Sequence, residues 1–210
     1  MSDKILEIKN FIPLSYQDEL DRVVHQNNFP WFFMEDVTHH NKAILNQIEE
    51  KNAGFFHQVY KDDEIKSDNL FQFVLPIYYL IQEKTPINIK ELYRLRLGNI
   101  VRSVTDNHYH NPHIDYFTDH WTALYYVNDS DGDTFIFNET NPKFSEEYDK
   151  ELKKEKSWSI KKKISPQKGK LVLFDGKHYH ASSSPKINSH RIVLTINFKV
   201  NGINLILFER

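Results

Sequence analysis

The sequence of 210 residues contains no cysteine, which removes several kinds of chemistry at once. Disulfide bridges, thiolate metal sites and a cysteine nucleophile are all excluded. No apolar run approaches the roughly 18 residues that a membrane-spanning helix needs. The first residues, Met1–Ile5, show no apolar core of a signal peptide. We therefore expect a cytoplasmic protein without a membrane segment.

A strong net charge is also missing. The formal net charge of -2 at pH 7 provides no electrostatic drive toward nucleic acid. The aromatic content of 14% favours strands and a packed interior. A chain of this length can bury one sizeable core, so we expect a single domain over residues 1–210. None of these quantities indicates the oligomeric state.

Residues 1–90 are expected to form helices and one short strand that flank the core. Apolar residues at helical spacing predict a helix over Ser15–Gln26, capped by Ser15, and another over Leu70–Gln82. Pro76 within the second helix predicts a kink or a late start. The aromatic run Phe29–Met34 predicts a short strand.

Residues 91–210 change in character and predict the core of the domain. The predicted strands are Leu92–Val104, Thr122–Asn128, Thr134–Asn138, Lys170–Phe174, His190–Val200 and a last one at Ile203–Phe208. At about residues 141–163, an acidic and then basic stretch interrupts these strands and predicts an inserted loop or short helix. Helices followed by a run of strands predict an α+β chain, mainly β, with a sandwich or barrel.

One short stretch, Asn111–Tyr116, places a histidine and an aspartate two residues apart, at His113 and Asp115. Such residues on a strand point to the same side. A later apolar strand breaks at Gly176 and delivers His178 and His180. Two neutral imidazoles and one carboxylate form a facial triad, which suits Fe(II) and leaves three coordination positions open. Either later histidine can complete the triad.

Arg191 opens an apolar strand and is therefore expected to be buried. A buried guanidinium needs an anionic partner. A dicarboxylic 2-oxo acid bound to the metal has a far carboxylate, and the fork of an arginine matches a carboxylate better than a lysine does. The residues thus predict a 2-oxo acid and dioxygen as the occupants of the open positions.

In order and spacing, these residues resemble the HxD…H…R pattern of the Fe(II)/2-oxoglutarate-dependent dioxygenases, on the prolyl 4-hydroxylase-like side. The resemblance covers roughly residues 92 to 200. It includes Thr122–Asn128, Asp131–Phe135 and His180–Ser182. The resemblance implies a double-stranded β-helix, a jelly-roll or cupin-like barrel, that uses Fe(II), 2-oxoglutarate and O2.

The resemblance also assigns roles to single residues. The implied iron ligands are His113, Asp115 and His180. Arg191 pairs with the C5 carboxylate of 2-oxoglutarate, and the hydroxyl of Tyr126 either joins it or belongs to an aromatic of the core. Asn99, with Arg94 or Arg96, is a further candidate for the wall of this pocket. The chain departs from some subgroups at Val193, where they have a serine or threonine that binds the cosubstrate.

The expected reaction is hydroxylation of an unactivated C–H bond, with a peptidyl prolyl or amino-acid substrate as the first choice. The partner is then a small molecule, a peptide or a protein. Two alternatives stay open: a cupin-like metal enzyme that does not use 2-oxoglutarate, and a non-catalytic barrel that only binds a partner. Halogenation is disfavoured because the related halogenases lack the acid that stands here at Asp115.

Overall fold

The computed structural model of the protein describes residues 4–37, 53–103, 109–155 and 157–203. Its strands are β1 Leu6–Ile8, β2 Phe32–Met34, β3 Gly54–Lys61, β4 Glu64–Ile65, β5 Ile87–Val101, β6 Trp121–Tyr126, β7 Thr134–Thr140, β8 Ile160–Ile164, β9 Leu171–Asp175, β10 His178–Ser182 and β11 His190–Ile203. Its helices are α1 Leu14–Val24, α2 Asp68–Lys84 and α3 Glu146–Glu155.

The described strands form two antiparallel sheets. The large sheet has the order β1-β9-β6-β11-β5-β3-β2, with β4 paired to β3, and the small sheet has the order β10-β7-β8. An isolated bridge between His113 and His180 lies beside the small sheet. This arrangement confirms the mainly β double-stranded β-helix expected from the sequence.

The outer face of the large sheet packs against α1 and α2, because alternate residues of its strands are apolar. On β11 these residues are Ile192, Leu194, Ile196 and Phe198. They pack with residues of the two helices that lie at helical spacing: Leu20, Val24, Leu70, Val74, Ile77 and Ile81. The intervening residues of the same strands point to the opposite face, toward the small sheet.

Two smaller apolar clusters complete the interior. Between the sheets, Tyr126 and Val193 of the large sheet pack with Ile136 of the small sheet. The outer face of the small sheet packs Phe137 and Tyr179 against partly buried side chains next to α3. The inner face of the large sheet is therefore only partly apolar, and the remainder of that face lines a cavity.

The first helix differs from the prediction at its start. It begins at Leu14, and the residue before it is Pro13, whose carbonyl accepts the backbone N–H groups of Tyr16 and Gln17 at 3.0 Å each. Ser15 therefore lies inside the first turn and makes no capping hydrogen bond, so the predicted cap is wrong. Proline has its φ fixed near the helical value, which allows it to precede a helix directly.

The second helix is longer than predicted, from Asp68 to Lys84, with Pro76 in its interior. A late start is therefore wrong. The aromatic strand is shorter than predicted, since only Phe32–Met34 pairs with a neighbouring strand. The last predicted strand, Ile203–Phe208, lies outside the described residues from position 204 onward.

Two segments contain more regular structure than the sequence indicates. The strand Gly54–Lys61 lies in a stretch of mixed polar composition for which no strand was predicted. It pairs with β5 through six residue pairs. The segment at about 141–163, predicted as an inserted loop or short helix, contains the helix α3 and also most of the strand β8, which pairs with β7. For β3 and β8, pairing with a neighbouring strand outweighs weak local propensity.

Within the described parts of the chain, no helix is both long and apolar enough to span a membrane.

The turn before β9 provides a test of the contact between the barrel and α1. Gly169 has φ +78°, and an added Cβ would collide with the side-chain amide of Gln17. We expect Gly169→Ala to lower the free energy of unfolding by about 1–3 kcal/mol. The measurement is urea denaturation, in which the midpoint should fall with little change in slope.

Gly98→Ala is the matched control, because the nearest atom to its added Cβ is Val193 Cγ1 at 3.8 Å. This variant should stay within about 1 kcal/mol of the parent. Equal stability of the two variants would contradict the assigned strain at Gly169.

Candidate active site

A cavity lies between the inner face of the large sheet and the small sheet. Its walls include side chains from β5, β6, β7, β10 and β11, and the loop that carries His113 and Asp115. The cavity volume is about 90 Å³. This is well above the roughly 10–15 Å³ that a single water needs, so the cavity has room for a small polar molecule.

The structure brings three predicted residues together at this cavity: His113, Asp115 and His180. One ligand atom from each residue lies within 4.8 Å of the other two. His180 Nε2 is 3.7 Å from Asp115 Oδ2. Bonds of about 2.0–2.2 Å to one ion place neighbouring ligand atoms about 3–4 Å apart, so a small side-chain rotation completes the site.

The backbones of the two histidines are also joined. The N–H of His113 donates to the carbonyl of His180 at 3.0 Å, and the N–H of His180 donates to the carbonyl of His113 at 2.9 Å. The rings lie with their centroids 4.6 Å apart. The bridge therefore connects the loop that carries Asp115 to the end of the small sheet.

The imidazoles are oriented for metal binding by backbone carbonyls. His113 Nδ1 is 3.1 Å from the carbonyl of Asn111, and His180 Nδ1 is 3.4 Å from the carbonyl of His178. Because a carbonyl oxygen only accepts, each Nδ1 carries the proton and each Nε2 keeps its lone pair for a metal. Burial also lowers the pKa of His180, which favours the neutral ring that a metal requires.

The carboxylate of Asp115 is held by a buried polar network. Arg94 Nη2 donates to Asp115 Oδ1 at 2.6 Å, and both side chains are 5% exposed. Asn197 Nδ2 and Thr122 Oγ1 donate to Asp115 Oδ2 at 2.8 and 3.2 Å. Burial acts to raise the pKa of Asp115, but the charges of Arg94, His180 and His113 hold it well below its usual range. The group is thus an anion that can bind a cation.

A second polar cluster on the cavity wall surrounds Arg191, which is 3% exposed. Its Nη2 donates to Thr134 Oγ1 at 2.7 Å, and the hydroxyl of Tyr126 donates to the same oxygen at 2.7 Å. With both lone pairs of Thr134 occupied, its own proton is left to donate to another acceptor. Arg191 Nε is buried without a hydrogen-bond partner among the described residues, and a bound anion would satisfy it.

Asn99 was the third residue predicted for the cosubstrate pocket, and its position in the sheet register differs from that of Arg191. It belongs to the cavity wall, yet it lies opposite Ile192 in the register of the sheet. Ile192 points into the core beneath the helices. The side-chain Oδ1 of Asn99 is buried without a hydrogen-bond partner among the described residues.

The other histidines near the site have partners of their own. His178 Nδ1 lies 3.1 Å from the carbonyl of Phe137, away from the three clustered ligands. His110 contacts the hydroxyls of two serines, and His120 Nδ1 lies 2.7 Å from the carbonyl of Thr118. His190 contacts His25, which directly follows the first helix, on the outer side of the sheet. His108 lies outside the described residues.

Several residues of the site were not predicted from the sequence, or were predicted without a definite role. Asn197 and Thr122 hold Asp115, and Thr134 joins Arg191 to Tyr126. Arg94, a candidate for the wall of the cosubstrate pocket, lines the cavity and also pairs with Asp115. The parity of β11 is a signal that could have found Asn197, since it lies six residues after Arg191 on the same face. Thr134 lies within the segment Asp131–Phe135 on which the resemblance depends.

Comparisons with known proteins agree with this geometry. Residues 99–199 match the family model described as the 2OG-Fe(II) oxygenase superfamily. No curated protein matches the sequence.

Among solved structures, the chain is similar to a prolyl hydroxylase from Trichoplax adhaerens in complex with a peptide fragment of the hypoxia-inducible factor oxygen degradation domain. The TM-score is 0.61 at 16% identity, over 94% of this chain and 84% of that chain. A 2OG-Fe(II) oxygenase-family oxidoreductase from Burkholderia pseudomallei has a TM-score of 0.62 at 10% identity, over 95% and 87%. The α-ketoglutarate-dependent epimerase SnoN of nogalamycin biosynthesis has a TM-score of 0.60 at 10% identity, over 94% and 78%. These likenesses establish the fold.

A pair of histidine variants tests which imidazole completes the metal site. We expect His180→Ala to weaken binding of Mn(II) at least tenfold, because it removes one of three ligands. His178→Ala should leave the affinity within about threefold, since its ring lies outside the cluster. Isothermal titration under identical conditions measures both, and the reverse order of effects would identify His178 as the ligand.

A second prediction concerns the ion pair between Arg94 and Asp115. Arg94→Met leaves a buried carboxylate without its cation and should lower the stability of the metal-free protein by about 3–5 kcal/mol. A bound divalent cation supplies the missing charge, so Mn(II) should stabilise this variant more than it stabilises the parent. Urea denaturation with EDTA or with Mn(II) measures both effects.

Arg22→Met is the control for the loss of one arginine, because Arg22 is exposed and its ion-pair partner among the described residues is Glu19. Exposed ion pairs contribute little to stability, so this variant should unfold like the parent in both conditions. If Mn(II) stabilised Arg94→Met no more than the parent, Arg94 would not be the counter-charge of Asp115 in the metal-free protein.

Proposed function

With a domain of the 2OG-Fe(II) oxygenase superfamily over residues 99–199, the chain is an oxygenase, and we propose that it hydroxylates an unactivated C–H bond. Fe(II), 2-oxoglutarate and O2 are the cofactors of this superfamily and of this chain. The proposal for the site is that His113, Asp115 and His180 hold the iron. The observation that carries it is the convergence of these three ligand atoms within 4.8 Å at the cavity wall.

The donor set suits the metal. Two imidazole nitrogens and one carboxylate oxygen on one side of an ion leave its other side open, which is the arrangement used by non-haem Fe(II) oxygenases. Both imidazoles have their protons directed to backbone carbonyls. Hydrogen bonds from Asn197 and Thr122 orient the carboxylate. These outer contacts keep the three ligands directed at one point.

The cosubstrate would be held at its far end by Arg191 and Thr134. A guanidinium and a hydroxyl with a free proton form a matched pair of donors for one carboxylate. Thr134 also provides the hydroxyl group that the sequence lacks at Val193, although it comes from a different strand. Tyr126 acts through Thr134, because its hydroxyl donates to Thr134 Oγ1 and so turns the threonine proton toward the cavity.

When bound, the iron with 2-oxoglutarate and O2 supplies the oxidising power that inserts one oxygen atom into a C–H bond, while the other enters succinate. The chain itself positions the reactants and excludes water. Apolar side chains between the two polar clusters, Leu124 and Val193, line the cavity. Such a wall limits water near the site, which protects a reactive centre from side reactions.

The first candidate substrate is a prolyl residue of a peptide, or a free amino acid. The similar structure from Trichoplax adhaerens is a prolyl hydroxylase with a bound peptide, which supports a peptide as one class. The similar epimerase SnoN has the same fold, so product analysis must separate hydroxylation from epimerisation. Hydroxylation adds one oxygen atom to the product, whereas epimerisation leaves its mass unchanged.

The two alternatives from the sequence are less well supported. A metal enzyme that does not use 2-oxoglutarate would not need a buried Arg191 with an unsatisfied N–H in the same cavity as the metal ligands. A non-catalytic barrel would not need a preserved triad beside it. The match to an oxygenase family favours catalysis over both.

Removal of the cationic group tests the role of Arg191. We expect Arg191→Leu to weaken 2-oxoglutarate binding on the order of 100-fold, because truncating a buried charged partner costs about 2–5 kcal/mol. Binding is followed anaerobically, with Fe(II) present, by the visible absorption band of the iron–2-oxoglutarate complex. With O2, the parent should convert 2-oxoglutarate to succinate, faster with a true substrate, and mass spectrometry should find one added oxygen.

Arg102→Leu is the control, since Arg102 is exposed just beyond β5, and it should bind 2-oxoglutarate like the parent. Parental affinity in Arg191→Leu would refute the role of Arg191. The absence of both the absorption band and succinate in the parent would refute the proposed function itself.

A further inference from the structure

Arg96 lies on the inner face of β5, two residues from Arg94 and on the same side of the strand. It belongs to the wall of the active-site cavity. Its neighbours across the sheet are Thr195 on β11 and Gln58 on β3. The guanidinium extends from the cavity toward β2 and β3, where it contacts Met34 and Phe56.

These contacts leave most donors of the guanidinium unused. Arg96 Nη2 is 3.4 Å from the sulfur of Met34, and its Cζ lies 5.2 Å from the centroid of the Phe56 ring. A thioether is a weak acceptor, and an aromatic ring covers a guanidinium face without satisfying the N–H groups at its edge. Within residues 4–37, 53–103, 109–155 and 157–203, no carboxylate forms an ion pair with Arg96.

The other two arginines of the cavity differ from Arg96 in this respect. Arg94 is neutralised by Asp115, and Arg191 has a role in holding the cosubstrate under the proposed function. Burial, and then repulsion by Arg94, lowers the pKa of Arg96 to about 10, so the group is cationic at neutral pH. Arg96 is partly buried. Asp115 attracts it, but that carboxylate is already paired with Arg94, so a further anion would stabilise the guanidinium.

The charges of the site with Fe(II) and 2-oxoglutarate bound also favour a further anion. Fe(II) and the three arginines contribute five positive charges, whereas Asp115 and 2-oxoglutarate contribute three negative ones. Two positive charges are then in excess in a partly enclosed cavity, where potentials are focused and counter-ions are concentrated. The next molecule to enter is thereby favoured if it is an anion.

The surroundings of Arg96 indicate which anion is suitable. One planar guanidinium matches one carboxylate through two parallel hydrogen bonds. Val37 and Phe55 also line the cavity, and together with Phe56 they place apolar surface beside the charge. A carboxylate on a short carbon arm satisfies both features.

We propose that Arg96 binds a carboxylate of the primary substrate and so selects acidic substrates for the oxygenase. This rests on the proposed function, because the substrate enters a cavity that already holds 2-oxoglutarate. The carboxylate belongs either to a free small acid or to an acidic residue of a peptide. The chemistry at Arg96 is the same in both cases.

Paramagnetic relaxation in solution tests the proposal without turnover. The protein is loaded with Mn(II) and saturating 2-oxoglutarate, free metal is removed, and the proton relaxation of four probes is measured. The probes are the α-amides of glutamate and glutamine, and the acetylated, amidated peptides Gly-Gly-Glu-Gly-Gly and Gly-Gly-Gln-Gly-Gly. Each pair differs only in a carboxylate against an amide, and Mn(II) relaxes only molecules bound close to it.

We expect at least one glutamate probe to bind about tenfold more tightly than its amide partner, as for a charged hydrogen-bonded pair. The responding pair identifies the source, free acid or peptide. Arg96→Gln should abolish the preference, and Arg96→Lys should retain part of it, which keeps the test valid if the glutamine variant fails to fold. Arg22→Gln, which removes an exposed charge, should behave like the parent.

Equal relaxation of carboxylate and amide probes in both pairs would overturn the proposal, as would an unchanged preference in Arg96→Gln. The affinity for 2-oxoglutarate separates this failure from others. If Arg96→Gln lost 2-oxoglutarate while Arg191→Leu retained it, Arg96 would be the cosubstrate's cation and the proposal would be wrong. Loss of binding in the parent would refute the proposed function instead.

Discussion

The alternation of side chains along β11 is the constraint on which both the core and the site depend. Ile192, Leu194 and later even-numbered residues pack beneath the helices, and the odd-numbered positions between them face the cavity or its ligands. A slip of one residue would exchange the two faces. Burial of the even-numbered apolar residues thus fixes the positions of Arg191 and Asn197 on the opposite face. In this way the hydrophobic effect directs two polar side chains into the interior, where they would not lie by their own preference.

Of the two polar clusters described in the barrel, one pairs its charge with an opposite charge and the other does not. Asp115 lies between one guanidinium and two neutral donors, and Arg191 lies against a threonine and a tyrosine. An unpaired buried charge is costly, whereas a paired one is close to neutral in its net effect. The two clusters are separated by apolar side chains, so the cavity has two polar ends, and an elongated dianion matches such a distribution.

Much of the fold and the centre of the candidate site could be predicted from the sequence, for a physical reason. Long apolar strands such as His190–Ile203 and Trp121–Tyr126 have strong local preferences, and the spacing of His113 to Asp115 survives any error in strand boundaries. The strand Gly54–Lys61 could not be predicted, because its stability comes from pairing with β5. Asn197 and Thr122 were missed because ordinary polar residues become significant only when strand register brings them to Asp115.

The hydrogen bonds that join the backbones of His113 and His180 affect when the proposed metal site is assembled. Two of its proposed ligands are held at a fixed separation by main-chain contacts that form as the barrel closes, so the entropy of ordering them is lost during folding and not during ion capture. A site prepared in this way discriminates among ions by its own geometry. It also allows the ion to leave and return while the surrounding chain keeps its shape.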